Sequence, residues 1–146
     1  MSDYPTCAKT FATFCVYHDT ADPRDITAVL GITPTRSWVR GESHGTKRVA
    51  AYPTSGWFLS SESEVVAHDS LRHFEWLLAA IEPQRSALHE LRQQGHRMGI
   101  SCYWLSKSGH GGPTLTADIM RRFAELELPV GFDVYFTGKD DGMDAT

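Results

Sequence analysis

Residues Phe11 to His18 are aromatic or β-branched at most positions, which predicts a strand with Ala12, Phe14 and Val16 on one side and Phe11, Thr13, Cys15 and Tyr17 on the other. A short helix follows: Asp22 is a capping residue, Pro23 suits the first helical position, and Ile26, Val29 and Leu30 form a stripe that stops at Gly31. From Arg36 to Glu62 the pattern is extended, with Trp38, Val49 to Tyr52 and Trp57 to Leu59 as strand residues around a Gly- and Ser-rich loop. Leu71, Phe74, Leu77, Leu78 and Ile81 then recur at helical spacing. Pro83 interrupts this helix, and Ala87, Leu88 and Leu91 carry a second one that closes near Gly95. Residues Arg97 to Leu105 read as a strand with Met98, Ile100, Cys102 and Trp104 on one face. Past a glycine-rich loop, Thr116 caps a helix whose stripe is Ile119, Phe123 and Leu126. The last strand, Val130 to Phe136, sets Val130, Phe132, Val134 and Phe136 against Asp133 and Tyr135.

These elements predict one α+β domain: an antiparallel or mixed sheet with three to four helices mainly on one face. The expected core is Phe14, Phe74, Leu78, Ile100, Phe123, Phe132 and Val134. The other face would carry Tyr17, Phe11, Tyr103, Tyr135, Phe58 and Asp133, aromatic without being greasy. The domain is expected to span residues 1–146, ordered over about 9–137, with a frayed acidic tail at 138–146.

Composition narrows the class. At 146 residues with 41% hydrophobic and 22% charged positions, the chain can bury a core without disulfides or metal. A net charge of −4 argues against a dedicated binder of nucleic acid or acidic membrane. Cys7, Cys15 and Cys102 are an odd count without a C-x-x-C pair, which fits reduced thiols and a cytoplasmic location. No signal peptide or membrane-length apolar run is visible. Arg36, Arg40, Lys47 and Arg48 against Glu42 give a local +3, leaving −7 elsewhere.

Gly41-Glu42-Ser43-His44-Gly45 spells G-x-S-x-G, but a nucleophile elbow needs a strand before the serine and a helix after it. Thr46 to Pro53 has no helical period, so the motif reads as a decoy and no enzyme is expected. The seven histidines lack metal-ligand spacing and read as scattered surface residues; no metal or cofactor is expected. The Ser106 to Gly112 loop, with Ser108 and Gly109 at its centre, is either an anion cradle or a connection needing glycine for positive φ. Arg36, Arg40, Lys47 and Arg48 are either an anion or acidic-partner site or a solvated loop with internal salt bridges, and Arg36 beside Trp38 is a candidate stacking pair. Trp76 lies opposite the Leu77/Leu78 stripe, to be covered by the following helix or presented to a partner.

Several segments together resemble a known bacterial family. They are Pro34-Thr35-Arg36-Ser37-Trp38 with Arg40-Gly41, then Trp57 with Leu59, Ser60 and Glu62. Phe74-Glu75-Trp76-Leu77-Leu78 running into Glu82-Pro83 is the third, and Ser106 to Leu115 leading to Phe132-Asp133-Val134-Tyr135-Phe136 the fourth. From Phe11 to Phe136 the chain resembles the domain-of-unknown-function family 4279. That resemblance implies a small cytosolic α+β protein and, for some members, a candidate immunity role beside polymorphic toxins; it implies no catalytic residues.

The expected function is non-catalytic binding of a protein partner, in its most concrete form a toxin domain neutralised by this chain. The alternative is a small-ligand or anion-binding regulatory domain in which Arg36 or Arg40 meets the Ser108/Gly109 backbone. A further alternative is RNA stacking on Tyr103 and Tyr135, which the acidic balance disfavours.

Overall fold

A computed structural model describes residues 4–42 and 51–137. Ser43, Lys47, Arg48, the expected strand residues Val49 and Ala50, and the acidic tail at 138–146 lie outside the described residues. The chain runs β1 (Cys7–His18), α1 (Pro23–Leu30), β2 (Arg36–Trp38), β3 (Ser55–Ser60), α2 (Ser70–Ile81), a 3-10 turn (Glu82–Gln84), α3 (Arg85–Gln93), β4 (Arg97–Ser106), α4 (Ala117–Glu125) and β5 (Val130–Phe136). One five-stranded sheet has the order β2-β3-β1-β4-β5. Its pairings are antiparallel except β4 with β5, which is parallel because α4 carries the chain back along the sheet. The expected α+β fold is therefore found, and its sheet is mixed.

Local chemistry sets the helix ends. The Asp22 carboxylate accepts the Arg24 N–H, Pro23 opens α1, and Gly31 closes it at φ 68°. Asp69 caps α2 through the Leu71 N–H, and Thr116 caps α4 through the Ile119 N–H. Pro83 does not end the helical path but turns it through one 3-10 step into α3.

All four helices lie against one face. Ile26 and Leu30, Phe74, Leu77, Leu78 and Ile81, Leu88 and Leu91, and Ile119 and Phe123 form one cluster with Ala12, Phe14, Val16, Trp57, Leu59, Ile100 and Cys102. Five of the expected core residues, Phe14, Phe74, Leu78, Ile100 and Phe123, are buried there, but Phe132 and Val134 are not: they are 47% and 59% exposed. Both stand on the helix side of the sheet, opposite Cys102 and Trp104. However, α4 packs inward, with Phe123 edge-on to Phe74 at 5.6 Å, and the edge strand extends beyond the helix layer.

Two histidines expected at the surface are buried, His73 and His96. His73 lies 2.6 Å through Nδ1 from the Ser61 hydroxyl and 2.9 Å through Nε2 from the Ala67 carbonyl. Since a carbonyl can only accept, Nε2 carries the proton, and Ser61 donates to Nδ1 while accepting the Ala12 N–H at 3.0 Å. This serine–histidine pair resembles a catalytic dyad, yet it is sealed from solvent and ties the β3–α2 connection to β1. Trp76 is half-buried and covered not by α3 but by the α1–β2 connection, where it lines a cavity of about 440 Å³ with Ile32, Pro34 and Leu59.

Candidate binding face

Among the described residues helices cover one side of the sheet, and strand alternation sets which side chains stand on the other. On β1 the odd positions Lys9, Phe11, Thr13, Cys15 and Tyr17 face outward, and the pairing registers fix what lies beside each. Tyr17 stands next to Gly56 and Arg97, and Cys15 next to Phe58 and Gly99. Thr13 is flanked by Ser60 and Ser101, and Phe11 by Tyr103. Further out, Arg36 pairs with Phe58 and Trp38 with Gly56, while Gly131, Asp133 and Tyr135 of β5 follow Ser101, Tyr103 and Leu105.

Two aromatic ridges result. The first holds Trp38 stacked on Tyr52 at 4.8 Å and set edge-on to Phe58 at 4.9 Å, with Phe58 edge-on to Tyr17 at 5.6 Å. The Arg36 guanidinium lies 4.6 Å from the Trp38 ring and donates to the Tyr52 hydroxyl at 3.0 Å. The second ridge stacks Phe11 on Tyr103 at 4.9 Å, with Tyr135 at 5.5 Å from Tyr103 and the Lys9 ammonium over Phe11.

Between the ridges a row of small residues, Ser60, Thr13, Ser101 and Gly131, crosses four adjacent strands. Three inter-strand spacings make this trough about 14 Å long. A recess of about 300 Å³ beside Phe11, Arg36 and Phe58 opens at its Ser60 end, and one of about 290 Å³ beside Cys15, Tyr17 and Gly99 lies along its Ser101 side.

Electrostatics leave the floor neutral. Burial pushes the Cys15 thiol up to about 12, so it stays protonated and is a poor nucleophile. Burial also raises Tyr17, and the neighbouring Asp133 charge raises Tyr135. Lys9 is raised by its hydrogen bond and ion pair with Glu62.

Of the sequence-predicted site residues, Arg36, Trp38, Tyr103 and Tyr135 share this face. Arg40 follows β2, its N–H bound to the Ser55 hydroxyl at 3.0 Å and its side chain exposed. Ser108 and Gly109 lie elsewhere: Ser106 is level with Cys7 and Arg36 with Cys15, so the loop and Arg36 are about 25 Å apart along the strands. No concave site joins Arg36 or Arg40 to that loop. The Gly109 N–H is taken by the Ser106 hydroxyl at 2.8 Å, and Gly109 and Gly111 both have positive φ, so the glycines serve the turn. Trp76 belongs to the opposite side of the sheet.

β2 ends at Trp38, and Gly41 and Glu42 enter the G-x-S-x-G run in a turn cross-bonded to the Tyr52 backbone. Among the described residues no three His, Cys, Asp or Glu side chains converge as a metal site. A cleft of about 330 Å³ between α3 and α4 contains Arg92, which is already spent on the Leu126 carbonyl. Sequence reasoning missed Tyr52 and Gly56 as site residues. The available signal was a glycine inside a strand, which marks close approach of a neighbour.

This geometry defines a one-sided α+β sheet protein with a preformed aromatic face. The chain belongs to the family described as Domain of unknown function (DUF4279), whose model matches residues 8–137. No curated protein and no solved structure matches it.

Proposed function

We propose that this chain is a non-catalytic protein-binding domain and that the uncovered face of its sheet is the interface. The carrying observation is the ridge of Trp38, Tyr52, Phe58 and Tyr17 with Arg36 stacked upon it. Tyr, Trp and Arg dominate binding hot spots, and the two aromatics bury large area with few rotamers to freeze. Here mutual stacking holds the rings before any partner arrives, which lowers the ordering cost of association. The trough of small side chains leaves room for a segment of the partner between the ridges. A toxin domain is the partner class that the family resemblance brings forward, and neutralisation the role.

The test is affinity capture from the native host with wild-type and Arg36→Ala protein, followed by titration with the recovered partner. The expected result is one specific protein lost or weakened about tenfold or more by Arg36→Ala and by Tyr17→Ala. A captured partner indifferent to both changes would place the interface elsewhere. Recovery of RNA in place of protein would favour base stacking on Tyr103 and Tyr135.

A further inference from the structure

The two edges of the sheet are unequal. β2 is three residues long, a short edge of the kind that resists pairing. β5 has seven residues, Val130 to Phe136, with no lysine, proline or bulge among them. Its side chains are exposed on both faces: Phe132 47%, Val134 59%, Tyr135 51% and Phe136 55%. Charged residues, prolines and bulges are what normally blunt such an edge, and Asp133 alone provides one here.

Backbone direction sharpens this. The Pro129 carbonyl accepts the Ile100 N–H and the Thr137 N–H donates to Ser106, so the odd-numbered residues of β5 turn their peptide groups toward β4. The even-numbered ones, Phe132, Val134 and Phe136, turn theirs toward the free edge. An antiparallel partner strand must meet these even positions, which restricts a two-fold pairing of β5 with itself to a few registers. Centring the axis on Asp133 sets two carboxylates face to face, which is unfavourable. Centring it on Val134 sets Val134 on Val134, Phe132 on Phe136, and Asp133 on the Tyr135 hydroxyl. In that register the pairs on the helix side are apolar, and Asp133 meets Tyr135 on the other.

We propose that β5 docks on β5 of a second copy in that register, giving a ten-stranded sheet with its two-fold axis at Val134. The four half-exposed side chains offer about 100 Å² each, hence at most about 800 Å² of side-chain surface for the pair, the size of a weak, reversible interface. Opposed residues of antiparallel strands point the same way, so both aromatic faces lie on one side of the dimer and all helices on the other. This proposal rests on the edge strand and not on the binding face, and either can fail alone.

Sedimentation of the purified full chain across the micromolar range, with two sets of variants, tests it. The wild type should dimerise reversibly, and Val134→Lys should raise the dissociation constant about tenfold or more while the near-ultraviolet spectrum stays folded. Val134→Cys should oxidise to a linked dimer, because paired strands bring those Cα atoms to about 5.5 Å, inside disulfide range. Val66→Cys, 95% exposed on the β3–α2 connection, is the collision control, and the native thiols are buried. A wild type monomeric throughout, or a dimer untouched by Val134→Lys, would overturn the proposal. Faster linking by Asp133→Cys than by Val134→Cys would overturn the register.

Discussion

Replacing Gly56 with alanine puts the first aromatic ridge under direct strain. Gly56 lies between Tyr17 of β1 and Trp38 of β2, and the indole lies across it. A Cβ built there would stand 2.1 Å from Cζ2, 2.4 Å from Cε2 and 2.6 Å from Cη2 of Trp38. Carbon atoms settle near 3.6 Å, so the ring must retreat by about 1.5 Å. It has nowhere to slide: Tyr52 stacks on it, Phe58 meets it edge-on, and its Nε1 donates to the Thr54 carbonyl at 3.0 Å. Overpacking of this kind costs about 1–3 kcal/mol, and breaking the indole hydrogen bond adds about 1 kcal/mol. Lower unfolded-state entropy returns about 0.5–1 kcal/mol.

The net expectation for Gly56→Ala is a loss of about 1–3 kcal/mol, or about 2–4 °C of Tm per kcal/mol for a chain of this size. Emission should shift to the red as Trp38 becomes solvated, against a background in which Trp57 and Trp104 are fully buried. The decisive measurement is a double-mutant cycle. Trp38→Ala is costly on its own, but in that background the methyl group added at position 56 meets no indole, so the double variant should be no less stable than Trp38→Ala. Additive losses in the cycle, or a Gly56→Ala protein with unchanged stability and emission, would refute the packing described for this ridge.

Leu78→Ala should cost about 2–5 kcal/mol in denaturant unfolding, whereas Phe132→Ser, at an exposed edge, should stay within about 0.5 kcal/mol when measured on dilute protein. Burial lowers the pKa of His73 and His96 below 6.5, so the unfolded chain takes up protons first; stability should hold above about pH 6.5 and decline as pH falls through the window below it. A flat stability profile across that window would contradict the neutral, buried assignment. The Arg122 hydrogen bonds lower Glu82, so its stabilisation is lost separately, as pH falls below the ordinary carboxylate value of 4.5. A serine-reactive fluorophosphonate probe should leave the native protein unlabelled, and stoichiometric labelling that disappears in Ser43→Ala would make the chain a hydrolase.

Helix positions were legible because their signals are local. Asp22-Pro23 through Gly31 and Thr116 before α4 each act within one turn, and the stripes on α2 and α4 need no knowledge of their partners. Alternation on β1 and β4 likewise separated the aromatic face from the core. Failure came where depth depends on sheet order. Phe132 and Val134 have the pattern of core residues and the correct face, yet β5 is an edge beyond the helix layer. His73 and His96 looked like surface residues because each is held by a main-chain carbonyl, and His73 also by the distant Ser61 hydroxyl, which no side-chain spacing reveals. Tyr52 and Gly56 became site residues through contacts with Trp38 across a connection whose path the sequence does not set.

Charge is the property most changed by seeing the structure. A formal −7 outside Arg36 to Arg48 predicts an acidic surface suited to a basic partner; that net figure already subtracts the basic residues there, and the ion pairs show which acids are individually matched. Glu75, Glu82 and Asp118 share Arg122, Arg121 bridges Asp118 and Glu125, and Asp19, Asp22 and Glu62 pair with Arg97, Arg24 and Lys9. Arg36 enters none of the ion pairs among the described residues, and its planar head is fixed on the Trp38 ring beside the trough. A fixed guanidinium without a carboxylate is suited to accept one, with two parallel hydrogen bonds, from whatever segment enters the trough. The partner's contacting segment should therefore be acidic at that point even if the partner as a whole is basic. Arg36→Lys distinguishes this from general attraction. Lysine keeps the charge and loses both the stacking and the fork, so it should bind nearly as weakly as Arg36→Ala and retain the salt dependence of its association rate. Full recovery by lysine would mean that only the net charge of the face matters.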